Sequence, residues 1–231
     1  MAIVVPALLL ALLVALFFFA ERRWPARVDR FEENVLASLL AIITFVSFTQ
    51  VIARYGFNTG WSGALEFTRI LFAWMILFGM GFGIKRSIHL GVDAFVRLLP
   101  AGIFRWVAVF GAFATFLYAF LLLYAAWLVL LGIDVSTNWR QTGAIGYWTF
   151  MYNLGTGLDD LRYPELLQNL FGLQERVHRW IAYLMLPIGL ALLAFRAFEA
   201  MIAILRGERE LVIAGHEAEE LVSEHKDALK D

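Results

Sequence analysis

Three groups of residues have the types and spacing that could do chemistry. Glu66 and Arg69 stand three apart in "LEFTRI", where a helix would set a carboxylate beside a guanidinium. His89 and Asp93 stand four apart in "SIHLGVD", a spacing that could aim two ligand atoms at a metal. The run "GMGFG" at 79–83 has the glycine density of a phosphate-binding loop.

None of the three completes an active site. The glycines lie inside an apolar run with no strand before it, which excludes a nucleotide loop. Gly79 and Gly83 instead have the G-x-x-x-G spacing that lets another helix approach closely. His89 and Asp93 lack further ligands, because His178, His216 and His225 are scattered along the chain. A membrane haem needs paired histidines deep in facing helices, and only His178 begins such a pair. Glu66 with Arg69 is worth only ~0.2–0.5 kcal/mol if wet, and fixes geometry rather than stability if buried. Arg69 has three readings: snorkelling to the interface, pairing with Glu66, or pairing with a partner protein. Arg54, just across a short loop, can join that network. Catalytic triads and paired buried carboxylates are missing, so an enzyme is not expected, and no metal or cofactor.

The elements that position these residues are membrane helices. The 231 residues are 61% hydrophobic and 17% charged, far from the balance of a soluble domain. A net charge of −1 gives no basic field for nucleic acid. The absence of cysteine removes disulfides, iron–sulfur clusters and thiolate metal sites. Apolar windows of 18 residues or more mark spans. They give an all-α polytopic protein, one membrane domain over 1–231, with helices expected at 34–53, 64–84, 106–133 and 177–205. The charge-free window 3–20 lacks a basic n-region and a small-residue cleavage site, and reads as an additional retained helix. Apolar spacing in "VDAFVRLLP" predicts a short interfacial helix within the 85–105 connector. The 28-residue window 106–133 would make a helix of about 42 Å, longer than the ~30 Å hydrocarbon core, and should tilt or protrude. Residues 134–176 are too long for an ordinary loop, and "DDLRYPELLQNLFGLQERV" within them has helix-like periodicity.

Four arginines in 21–33, and Lys85, Arg86, Arg97 and Arg105 in 85–105, place those connectors and the 206–231 tail in the cytoplasm. The 54–64 loop and the 134–176 insertion then face outward. The middle of the membrane reads as almost bare of ionisable groups, which leaves no relay for a solute or proton.

The stretch "ARYGFNTG…ALEFTRILFAWMILFGMGFGIKRSIHLGVDAFVRLLP" resembles the small membrane subunit, of DctQ type, of tripartite ATP-independent periplasmic (TRAP) transporters. The resemblance rests on Arg54-Tyr55, Glu66-x-x-Arg69, Phe72-x-Trp74, Gly79 and His89-x-Gly91-Val92-Asp93. A second match is "WIAYLMLPIGLALLAFRA", with the kink pair Pro187 and Gly189. It covers about 31–133 and 178–206, and its wording is most like C4-dicarboxylate systems. The resemblance implies a four-helix, non-catalytic subunit in the bacterial inner membrane, supporting a large permease subunit. That subunit carries the substrate and ion sites, and a periplasmic binding protein delivers the substrate. Arg54, Glu66, Arg69, Trp74, Gly79, Gly83, His89 and Asp93 become candidates for the subunit interface. The alternatives are a membrane anchor for a redox enzyme and a self-sufficient small carrier.

Overall fold

The computed structural model describes residues 4–86, 101–132 and 143–207. Five helices among the described residues are long and apolar enough to cross a membrane, so the chain is an all-α polytopic membrane protein. They are α1 (Val4–Arg23), α2 (Pro25–Gly56), α3 (Ala64–Lys85), α4 (Ala101–Leu123) and, after an intervening segment, α8 (Met185–Arg206). Between α4 and α8 lie a 3-10 turn (Ala126–Leu131), α5 (Gly143–Leu154), β1 (Gly157–Arg162), α6 (Glu165–Phe171), β2 (Arg176–His178) and α7 (Arg179–Ala182). The interfacial helix expected in 85–105 falls largely outside the described residues, as do His89 and Asp93.

Helix α1 buries none of its residues within the chain. Its 20 residues give about 30 Å, the thickness of a hydrocarbon core. Helix α2 is longer than the expected 34–53. It starts at Pro25, so the arginine-rich connector is helical and only Trp24 separates it from α1. The reason is local: proline is favoured in the first helical turn, where its missing N–H costs nothing. At 32 residues α2 is about 48 Å long, and its charged first turns exceed the hydrocarbon thickness.

The fourth helix also differs from the expected 106–133. It ends at Leu123 and a 3-10 helix follows at Ala126–Leu131, with Trp127 packed on Phe120 at a ring-centroid distance of 5.7 Å. Gly143, at φ +84°, seats the start of α5 against the carbonyl oxygens of Leu122 and Leu123, where an added Cβ would lie 2.8 Å from each. The apolar window is therefore divided between an α-helix and a 3-10 helix. Within 134–176, the expected helical run at 159–177 is a short helix between two strands. Residues 157–162 pair antiparallel with 176–178, and only 165–171 are helical, with Pro164 at the N-cap. The last expected helix, 177–205, is likewise β2, the four-residue α7 and then α8.

The described residues form two compact units, whose ranges refer to those residues alone. The first contains residues 1–80 and 119–192, and its β hairpin is flanked by rings: Trp148 stacks on Tyr152 at 5.7 Å, and Trp180 meets both edge-on. Such aromatic clusters are favoured at a membrane–water boundary, where the ring is apolar and its edge polar. The second unit contains 81–118 and 193–231; its core packs Ala108 and Ala112 against Ile204, flanked by Val109 and Met201. In that unit Arg105 donates from Nε to the Ile204 carbonyl at 3.2 Å and from a terminal nitrogen to that of Leu205. A cation at the last carbonyls of a helix is favourably placed in the helix dipole.

Candidate functional site

Helix α3 brings the sequence-predicted residues to different faces. Glu66, in its first turn, points its carboxylate at the backbone of β1. It accepts N–H bonds from Asp159 (3.2 Å), Asp160 (2.8 Å) and Leu161 (2.8 Å). One side chain thus satisfies three donors of an edge strand, and charge-assisted bonds of this kind are the stronger class. Beside it Arg179 donates to Asp159 at 2.9 Å. That pair is largely wet and adds little by itself. The β hairpin is therefore tied to the start of α3 through Glu66.

Arg69 is exposed, and no ion pair among the described residues joins it to Glu66. Its neighbours in the exposed stripe of α3 are Leu65, Phe72 and Ile76, spaced at one helical face. Trp74 points inward, donating from Nε1 to the Ala182 carbonyl at 2.9 Å. Gly189 lets α8 cross α3 closely: a Cβ there would lie 2.8 Å from both the Cβ and the carbonyl oxygen of Leu77. Pro187, two residues earlier, lies in the first turn of α8 rather than at a mid-helix kink. At Gly79 an added Cβ would make ordinary contact with Leu36 at 3.5 Å, and at Gly83 it would meet nothing within 4 Å. Arg54 is exposed at the end of α2. Nearby, Gln50 closes the α2–α3 loop by bonding both the N–H and the carbonyl of Trp61 at 3.1 Å.

Glu66, Trp74 and Gly189 thus hold the first unit together, whereas Arg54 is exposed at the end of α2 and Arg69 is exposed at the mouth of a cavity in that unit. A cavity of about 440 Å³ opens between α3, β1 and the α7–α8 junction. Glu66, Arg69, Asp159 and Arg179 line its polar end, and Leu77 and Leu186 part of its apolar wall.

Sequence reasoning missed two features. Arg196 in α8 is buried, at 4% exposure, and its guanidinium lies 3.3 Å from Glu199 in the second unit. The apolar helix therefore is not bare of charge, and the i,i+3 pair in "FRAFEA" was the available signal. The other is a carboxylate cluster where α1 meets α2: oxygens of Glu21, Asp29 and Glu32 lie within 4.8 Å of one another. Each of these three residues has an interaction, and the arginine-rich connector surrounds them in sequence.

Fold and site together define a multi-pass helical membrane protein whose buried polar contacts serve packing. The chain belongs to the family described as tripartite ATP-independent periplasmic transporters, DctQ component, whose model matches residues 43–158. It is 34% identical over 213 residues to the C4-dicarboxylate TRAP transporter small permease protein DctQ of Vibrio cholerae serotype O1, covering 88% of this chain and 85% of that one. The protein of the same name in Pseudomonas aeruginosa is 28% identical, covering 86% and 94%; that of Rhodobacter capsulatus is 24% identical, covering 78% of each. These relatives are transporter permease subunits, and no enzyme family is indicated.

Proposed function

We propose that this chain is the non-catalytic small subunit of a C4-dicarboxylate importer driven by an ion gradient, and that it acts as a scaffold for a large permease subunit. The similarity to the Vibrio cholerae protein over most of both chains carries this reading. The structure is compatible with a supporting role, because the polar contacts of the first unit close on its own backbone at Glu66 and Trp74. A periplasmic binding protein would deliver the solute, and the β hairpin would lie on that side of the inner membrane. Arg54, Arg69 and Gly83 remain candidates for the large subunit's contact on α2 and α3; His89 and Asp93 would serve at the opposite end of α3.

Uptake of labelled succinate tests the proposal. Cells making the matching large permease and binding protein without this chain are expected to take up no more than background. Supplying the chain should restore uptake, and an ionophore that collapses the ion gradient should abolish it. Full uptake without the chain would remove the scaffold reading, and uptake insensitive to the ionophore would remove the gradient.

A further inference from the structure

The 440 Å³ cavity of the first unit has two arginines and two acids at its polar end, and the hydrogen bonds made by the acids leave most of the guanidinium N–H groups without an acceptor among the described residues. Glu66 commits its carboxylate to three backbone N–H groups. Asp159 takes one N–H of Arg179, and a guanidinium carries five. Arg69 has no hydrogen bond or ion pair to any described residue. It is the sixth residue of α3, about 7.5 Å along the axis from Ala64. A cation at that depth in a membrane helix requires an anion or water within reach. The remaining wall is mostly apolar, formed by Ile70, Ala73, Leu77, Leu158, Ala182 and Leu186, with Tyr183 among them.

This combination selects an amphiphile. A small free anion would satisfy the arginines but would hold its charge against a hydrocarbon wall. A phospholipid satisfies both ends. We infer that the cavity is a headgroup site for a phospholipid of the leaflet on the hairpin side. Its phosphate accepts N–H bonds from Arg69 and Arg179, and an acyl chain lies along Leu77 and Leu186. The volume suits a headgroup with the first part of a chain, since small-molecule sites run to about 300–1,000 Å³. The inference needs only that α3 spans a membrane, and it stands apart from the subunit reading above.

Native mass spectrometry of the full chain, delipidated by extended washing in dodecyl maltoside and then offered phosphatidylethanolamine and phosphatidylglycerol, tests it. The unmodified chain is expected to hold a stoichiometric phospholipid. Arg69→Gln should weaken retention at least about fivefold, as loss of a charge-assisted bond implies. Arg69→Lys should restore part of it. Arg54→Gln, an exposed arginine outside the cavity, should leave it unchanged. Millimolar succinate or inorganic phosphate should not displace the lipid. Absence of retained lipid, or equal retention by Arg69→Gln, would overturn the assignment. Displacement by succinate or phosphate would overturn it in favour of a small-anion site. Lipid held by the lone chain but lost when a large permease is bound would overturn it in favour of an acidic side chain on that partner.

Discussion

Glu66→Ala is expected to release the β hairpin from α3 while leaving the helices intact. The substitution removes the acceptor for the N–H groups of Asp159, Asp160 and Leu161 together. Bonds to a charged group contribute roughly 1.5–3 kcal/mol each, but freed donors at this partly exposed site recover water. A local loss of about 2–3 kcal/mol is the expected balance. Amide exchange reads it directly: protection of these three residues should fall by roughly 30-fold or more, with that of α3 beyond its first turns unchanged. Glu66→Gln keeps one acceptor oxygen and should fall between. Unchanged exchange at 159–161 in the Ala variant would mean that the hairpin is held by the ring cluster and not by Glu66.

Gly189→Ala should destabilise the first unit, although alanine is the better helix former. The new methyl would sit 2.8 Å from the Cβ and carbonyl oxygen of Leu77 and 2.9 Å from its carbonyl carbon. Two of these three atoms are backbone, so relief requires α3 and α8 to separate. Overpacking of this kind costs roughly 1–3 kcal/mol, which exceeds the ~1 kcal/mol gained by replacing glycine within a helix. Helices in lipid associate largely through close packing, so the lost contact has no hydrophobic substitute. The thermal midpoint in detergent should fall by several degrees. Gly83→Ala has open space for its methyl and should be neutral or slightly stabilising. A midpoint raised by Gly189→Ala would show that the two helices are not held at this distance.

The long apolar helices were legible because lipid imposes a simple demand on composition. The expected 64–84 differs from the observed α3 by one residue. The same demand misled at 106–133, where an uncharged window stays uncharged whether it continues as an α-helix or breaks at Leu123. What stops that helix is tertiary: Gly143, about twenty residues later, fills the space at its final carbonyls. The hairpin was hidden for a related reason. Its strand 157–162 is held through Glu66, some ninety residues earlier, and no local pattern announces such an acceptor. For the same reason Glu66 and Arg69, neighbours on a helix, were open to being read as a pair. Three amides on one side outcompete one exposed guanidinium. Arg196 is different, because its spacing from Glu199 was visible in the sequence; its burial was not.

A chain that works as a subunit held beside a large permease should leave the membrane together with it. The most direct test is to purify the tagged chain from its native membrane in mild detergent and identify what accompanies it by mass spectrometry. A large polytopic permease in near-equal amount is the predicted result. Recovery of the chain alone, or in company with redox proteins, would contradict the subunit role.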